Sequence, residues 1–71
     1  MITPAQCRAA RALMDWSQQD LANASKIGNA TIRNFEGGNS GPQHATLNVL
    51  QRALEAAGIE FINHSGVRLR T

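Results

Sequence analysis

The sequence predicts a single, mainly α-helical domain of four to five helices that ends in a short β-hairpin. Three observations predict this fold class. Apolar residues recur at helical spacing, capping and stop signals divide the chain into short segments, and the pattern changes after Gly58. With 71 residues, the chain can build one small core. We therefore expect a helical domain over residues 1–58 and a hairpin over residues 59–71.

The first helix is expected to run from Pro4 to about Met14. Thr3 can cap it, Pro4 suits the first helical position, and Gln6 completes a capping box. Trp16, at the corner that follows, is expected to be partly buried and to pack against the next helix. The inner face of the helix is predicted to consist of Cys7, Ala10, Leu13 and Met14.

Two further short helices are expected to follow, joined by a tight turn. Ser17 caps the second helix, which extends to about Ser25. Residues 26–28 form the turn, and the third helix begins near Gly28 or Asn29. It ends at Gly37-Gly38, because glycine readily takes the left-handed conformation that terminates helices.

A fourth helix is predicted from residues 43–45 to about residue 57, and the hairpin follows it. One stripe of this helix carries Leu47, Leu50, Leu54 and Ala57. The predicted strands are residues 59–62 and 67–70, with turn-forming residues, including an exposed His64, between them. An isolated two-stranded hairpin is only marginally stable, so it needs the helices or another chain behind it.

Composition narrows the functional classes. Seven Lys and Arg residues against five Asp and Glu give a net charge of +2, which is compatible with nucleic-acid binding but does not argue for it. The single Cys7 cannot form an internal disulfide and has no His or acidic neighbour in sequence to activate it. The sequence shows neither a membrane-spanning run nor a secretion signal, so we expect a cytoplasmic protein.

Catalytic chemistry is not expected. His44 and His64 have no Cys or acidic residue at metal-ligand spacing, and no nucleophile and base are placed to work together. The sequence therefore predicts no metal, no cofactor and no enzymatic activity.

Most of the chain, from about Pro4 to Gly58, resembles the phage repressor and Cro (XRE-like) family of bacterial transcription regulators. The helix-turn-helix motif is at about residues 18–37. The matching features are Arg11, Ser17-Gln18, Leu21-Ala22, Ile27, Thr31-Ile32, Glu36 and Gly38. The resemblance implies a repressor-like fold whose third helix, residues 29–36, lies in the major groove of double-stranded DNA.

The same resemblance implies that Arg11 pairs with Glu36 at the edge of the core. A partly buried guanidinium needs a carboxylate, which it can bind through two hydrogen bonds. The alternative is that both residues are solvated surface charges.

The expected DNA contacts lie on and around the third helix. Ile32 and Phe35 point inward, so the outer face is left to polar and small residues. Asn can pair with adenine, Arg with guanine or phosphate, and a methyl group with thymine, while the amide of Gln18 can hold a phosphate. The predicted DNA-binding residues are Gln18, Gly28, Asn29, Ala30, Thr31, Arg33, Asn34 and Asn39. By resemblance, a loop along the DNA backbone contains Asn39, Ser40, Gln43 and His44.

Two positions depart from the family pattern. Lys26 stands where glycine is usual, and a lysine with positive φ would cost about 1 kcal/mol. Gly28 stands where a hydroxyl cap is common, which weakens the cap and removes one possible phosphate contact. The charge of Lys26 can return some of the phosphate attraction.

Two other functions remain open. One is the antitoxin of a toxin–antitoxin pair, which would use the same DNA surface and bind a toxin as partner. The other is a protein-interaction module that keeps the fold but has lost DNA binding.

A homodimer is expected, because one motif with so little positive charge would bind a half-site weakly. The hairpin is the predicted dimer element, since its outer strand leaves backbone groups unpaired. Its apolar residues also exceed what one short hairpin is expected to hide, namely Ile59, Phe61, Ile62, Val67 and Leu69. The competing account is that the hairpin folds back on the first and fourth helices of a monomer.

Overall fold

The computed structural model describes residues 2–39, 41–63 and 65–70. Within them, four helices precede an antiparallel hairpin, which confirms the predicted mainly helical fold class. The elements are α1 (Pro4–Met14), α2 (Gln18–Ser25), α3 (Asn29–Glu36), α4 (His44–Ala56), β1 (Ile59–Phe61) and β2 (Val67–Leu69). Ser40 and His64, both named in the sequence predictions, lie outside the described residues.

Complete capping boxes begin α1, as predicted, and α2, for which the sequence predicted the Ser17 cap. Thr3 Oγ1 accepts from the backbone N–H of Gln6 at 3.1 Å, and Gln6 Oε1 accepts from that of Thr3 at 3.0 Å. Ser17 and Asp20 make the same reciprocal pair at 3.0 and 2.9 Å. Each box satisfies two donors that the first helical turn would otherwise leave unpaired.

Left-handed residues end the first three helices. Gly38, at φ 75°, closes α3 as predicted, with hydrogen bonds from Gly38 N to Phe35 O and from Asn39 N to Asn34 O, both at 3.0 Å. Asp15, at φ 61°, does the same for α1, although no glycine in the sequence marks this position. Aspartate tolerates this conformation better than most residues, because its short polar side chain bonds locally.

One core joins the helices to the hairpin. Its centre is formed by the leucine and isoleucine side chains that are at most 1% exposed, namely Leu21, Ile32, Leu50, Leu54 and Ile59. Trp16 and Leu47 are partly buried and pack against this centre, as predicted for both. None of the helices in the described ranges is long and apolar enough to cross a membrane.

Two predicted core positions are wrong. Leu13 is 46% exposed, whereas Gln6, two helical turns earlier on the same side of α1, is buried. The hairpin covers Gln6 near the start of α1, whereas Leu13 lies about 10 Å further along the helix, beyond that cover. Ala57 is also exposed, although its backbone keeps the helical conformation at the end of α4 and its N–H donates to Ala53 O.

The buried Gln6 attaches the hairpin to α1. Its Nε2 donates to the backbone carbonyls of Asn63, at 2.5 Å, and of Gly66, at 3.2 Å. Its Oε1 is already engaged in the capping box, so the buried amide is satisfied at both ends. The sequence indicated only the capping role of this residue.

The hairpin folds back on α1 and α4. Its strands pair Ile59 with Leu69, Glu60 with Arg68, and Phe61 with Val67. The expectation that its apolar residues could not be hidden on the helices is wrong for Ile59, Phe61 and Val67, which pack against the core. Ile62 and Leu69 remain 56% and 40% exposed.

Candidate nucleic-acid interface

The turn between α2 and α3 is held by backbone and serine hydrogen bonds. Lys26 takes the left-handed conformation, with φ 64°, which is unfavourable for a residue that has a side chain. Its N–H donates to Ala22 O at 2.9 Å. The buried Ser25 hydroxyl donates to Leu21 O at 2.7 Å and accepts from Ile27 N at 3.2 Å. The entry to α3 is therefore fixed without a side-chain cap at Gly28.

Helix α3 has one apolar and one polar face. Ile32 and Phe35 are 0% and 4% exposed and anchor the helix to the core. The remaining predicted contact residues of the helix are exposed or, for Asn29, partly exposed: Asn29, Ala30, Thr31, Arg33 and Asn34. Amide, methyl, hydroxyl and guanidinium groups therefore share one outward surface about 12 Å long.

A short chain of amides orients Asn29. Its Nδ2 donates to Gln19 Oε1 at 3.3 Å, and Gln19 Nε2 donates to Asn23 Oδ1 at 3.0 Å. This leaves Asn29 Oδ1 and the second Nδ2 hydrogen available for another group. Gln19 was not among the predicted site residues, although its position one residue after Gln18 would have allowed it to be considered.

Beneath this surface, Arg11 and Glu36 form the predicted pair through two hydrogen bonds. Arg11 Nε and Nη2 each lie 2.7 Å from a carboxylate oxygen of Glu36. Their side chains are only 18% and 3% exposed, so the alternative of two solvated charges is wrong. Arg11 Nη1 also donates to Trp16 O at 2.9 Å, which ties the corner after α1 to the same guanidinium.

Glu36 accepts three further hydrogen bonds. Gln18 Nε2 and Cys7 Sγ each donate to its carboxylate at 3.0 Å, and Arg8 donates to its backbone carbonyl. Cys7 thus has an acidic neighbour in space that its sequence neighbours did not reveal. The amide of Gln18, predicted to hold phosphate, lies on Glu36 in this structure.

These contacts shift the ionisation of the cluster. Burial raises the pKa of the Glu36 carboxyl, but hydrogen bonds from Arg11, Cys7 and Gln18 outweigh it, so the net pKa is lowered. The hydrogen bond to Glu36 raises the pKa of Arg11. Burial, then the hydrogen bond to Glu36, raises the pKa of the Cys7 thiol. The cluster is therefore a carboxylate held by protonated donors.

The loop after α3 is exposed beside the polar face of this helix. Asn39, Gly41, Gln43 and His44 are all exposed, and Asn39 is fixed to the end of α3 through its backbone. In the described part of the chain, no three His, Cys, Asp or Glu side chains gather in a group that could hold a metal ion.

No family model matches the chain, and no curated protein matches it significantly.

Proposed function

We propose that the protein is a repressor-like transcription regulator that binds double-stranded DNA in a sequence-specific manner and inserts α3 into the major groove. The observation that carries this proposal is the two-faced character of α3. Two buried side chains anchor it, and its outward face offers groups that suit base edges. We place the protein in the cytoplasm, where Cys7 stays reduced.

The outward side chains fit the chemistry of base recognition. Asn29 and Asn34 can each accept from and donate to adenine, and Arg33 can donate twice to guanine. The major groove is about 12 Å wide, which accommodates an α-helix. Lys26 lies in the preceding turn, where its ammonium can reach a phosphate.

The hydrogen bonds to Glu36 support this role because they hold α3 in a fixed position. A reading helix must keep its side chains within a fraction of an ångström of a productive geometry. Glu36, the last residue of α3, is bound by side chains from α1 and α2. In this proposal, Gln18 positions α3 through its side chain, and its contribution to phosphate binding comes from its backbone N–H at the start of α2.

The test is selection of bound sites from a random duplex pool, followed by binding measurements with variants. We expect Arg33→Ala and Asn34→Ala each to lose about 1–3 kcal/mol on the selected site and to relax the preference at particular base pairs. Arg52→Ala is the matched control, because it removes an exposed arginine from α4. It should leave the sequence preference unchanged.

Two outcomes would overturn the proposal. One is unchanged affinity and preference in both α3 variants, which would exclude α3 as the reading helix. The other is the absence of binding to any duplex at low salt, which would favour a protein-interaction module.

A further inference from the structure

We propose that Arg8 is a positioning residue for the last turn of α3: its guanidinium closes the end of this helix and thereby sets how Arg33 and Asn34 meet base edges. The inference rests on the proposed DNA-binding function and gives a role within it to a side chain of α1.

The backbone carbonyls at the end of α3 find their partners in two ways. The carbonyls of residues 33–35 accept from the backbone N–H groups of residues 37–39, at 3.0 Å in each case. The next carbonyl, that of Glu36, accepts from Arg8 Nη1 and from no other group of the described residues. A helix leaves its last four carbonyls without partners inside the helix. The local turn therefore supplies three of the partners, and α1 supplies the fourth.

Arg8 and Arg11 hold Glu36 at two different points. They are three residues apart and so lie on one face of α1. Arg11 binds the carboxylate of Glu36, which is joined to the backbone through several rotatable bonds. Arg8 binds the backbone carbonyl itself. Loss of the bond from Arg8 therefore frees the main chain at the end of α3 even when the ion pair with Arg11 remains.

The charge of Arg8 suits this position. The carbonyl end of a helix carries a partial negative charge, which a nearby cation stabilises. Arg8 forms no ion pair with a carboxylate of the described residues, since the salt bridges there are Arg11 with Glu36 and Arg68 with Glu60. The guanidinium of Arg8 is therefore available to the end of α3.

The last turn of α3 carries two of the proposed reading residues. The helix has eight residues, so Arg33 and Asn34 lie in its final turn, and their carbonyls take part in the hydrogen bonds that close it. Asn29, in contrast, begins the helix and is oriented by Gln19. A loosened helix end should therefore displace Arg33 and Asn34 and leave Asn29 in place.

The end of α4 provides a matched control. It is closed by the backbone N–H groups of Ala57 and Gly58 and by a guanidinium from another element, because Arg70 Nη2 donates to Glu55 O at 3.3 Å. This helix carries none of the proposed reading residues. Substitution of Arg70 removes the same charge as substitution of Arg8, but from the end of a different helix.

The first test measures hydrogen exchange of backbone amides by NMR in the full chain without DNA. Arg8→Met keeps an unbranched side chain without a donor, whereas Arg8→Lys keeps both a donor and the charge. We expect Arg8→Met to speed exchange at residues 37–39 about 2–10-fold and Arg8→Lys to restore most of the protection. Exchange at residues 57–58 should not change in Arg8→Met. Arg70→Met should show the opposite pattern.

The second test measures affinity for duplexes that differ from the selected site by single base pairs. Arg8→Met should lower discrimination about 2–10-fold at the base pairs that Arg33→Ala and Asn34→Ala relax. It should keep the discrimination that Asn29→Ala removes, and Arg8→Lys should restore the natural preference. Affinity for random duplex should fall no more in Arg8→Met than in Arg70→Met, because both lose one charge.

Several results would overturn the proposal. One is unchanged exchange at residues 37–39 in Arg8→Met, and another is an equal increase at residues 57–58. Equal weakening on selected and random duplexes, beyond that of Arg70→Met, would make Arg8 a phosphate contact instead. Loss of helical circular dichroism in Arg8→Met would also contradict a local role, because an exposed helix cap contributes too little to unfold the domain.

The two tests separate this inference from the proposed function. If the natural chain bound no duplex, the proposed function would fail, and the role of Arg8 in base reading would fail with it. Faster exchange at residues 37–39 in Arg8→Met would then still establish Arg8 as the residue that closes α3. If the natural chain binds its site and Arg8→Met keeps every base preference, only the role of Arg8 is overturned.

Discussion

At the scale of single residues, Glu36 holds the most consequential position. It is the last residue of α3, its carboxylate is almost fully buried, and side chains from α1 and α2 donate to it. A buried charge is tolerated only when it is paired and hydrogen-bonded. The orientation of the outward face of α3 is therefore set by the inward contacts of this carboxylate.

The coupling of Arg11 to Glu36 can be measured with a double-mutant cycle. Each single alanine replacement should destabilise the protein by about 1–3 kcal/mol, since it leaves a partly buried partner unsatisfied. The double variant should cost less than the sum, because neither charge is then left without the other. Urea denaturation of the four chains gives the values.

Arg68 and Glu60 provide the matched control for this cycle. Their side chains are 68% and 33% exposed, and exposed pairs contribute about 0–1 kcal/mol. Strict additivity of Arg11→Ala and Glu36→Ala would show that the buried pair has no energetic coupling.

The lowered pKa of Glu36 predicts how stability depends on pH. An unfolded glutamate has a pKa of about 4.3. Since the folded-state pKa lies below that value, the contribution of Glu36 to stability is complete above about pH 4.3 and is lost as the pH falls through the folded-state pKa.

Urea denaturation from neutral to acidic pH, with Glu36→Gln as reference, isolates this contribution. The difference in unfolding free energy between the two chains should shrink on the acidic side. A difference that stays constant with pH would mean that the carboxyl is not held in its ionised form by the fold.

At the scale of elements, the turn between α2 and α3 contains a removable strain. Lys26 has a φ of 64°, a conformation that disfavours side chains with a Cβ. Lys26→Gly should therefore stabilise the protein by about 0.5–1 kcal/mol. Lys26→Ala keeps the Cβ and removes the same charge, so it should not give this gain. Equal thermal unfolding of the two variants would contradict the strain.

The elements themselves were predictable because their signals are local. Thr3 and Ser17 begin α1 and α2 through contacts only three residues away, and Gly38 ends α3 within one turn. The positive φ of Lys26 was anticipated from the family pattern. Helix boundaries that are set by neighbouring residues can be predicted without knowledge of the tertiary structure.

What the sequence did not reveal depends on contacts far apart along the chain. Gln6 is buried because the turn of the hairpin covers it, and Cys7 meets Glu36 across 29 positions. Leu13 is exposed because the hairpin stops short of it. In the site, the Arg11–Glu36 pair was predicted from the resemblance to a known family. The hydrogen bond from Gln18 to Glu36 was not predicted, because it depends on how α2 packs against α3.

At the scale of the whole molecule, α1 connects α3 to the hairpin. Arg11 and Cys7 bind the end of α3, and Gln6 on the same helix binds the hairpin turn. The outward face of α3 and the hairpin are thus held by one rigid element. Two copies joined through the hairpin, the dimer element predicted from the sequence, would present two α3 helices in a fixed relation.

This geometry predicts how the protein binds a palindrome. Half-sites read by such dimers lie about 34–36 Å apart, one turn of DNA. The longest extent of the chain is 31 Å, so two copies side by side can place their α3 helices at that separation. Binding of the second copy then becomes intramolecular, at an effective concentration of about millimolar. The natural chain should therefore bind a palindrome far more tightly than a half-site, with a steeper dependence on salt.

The Ile62→Lys and Arg33→Ala variants separate the two contributions to palindrome binding. Ile62 is the most exposed large apolar residue of the hairpin, the predicted dimer element. Ile62→Lys should therefore lose about 10–100-fold on the palindrome and nothing on an isolated half-site, because it weakens only the link between the copies. Arg33→Ala should weaken binding to both duplexes, because it acts within each half-site. Val49→Lys serves as the control, because it adds the same charge at an exposed apolar residue of α4, outside the hairpin. Equal affinity of Ile62→Lys and the natural chain for the palindrome would show that the hairpin does not couple the two copies on DNA, even if each copy reads its half-site through α3.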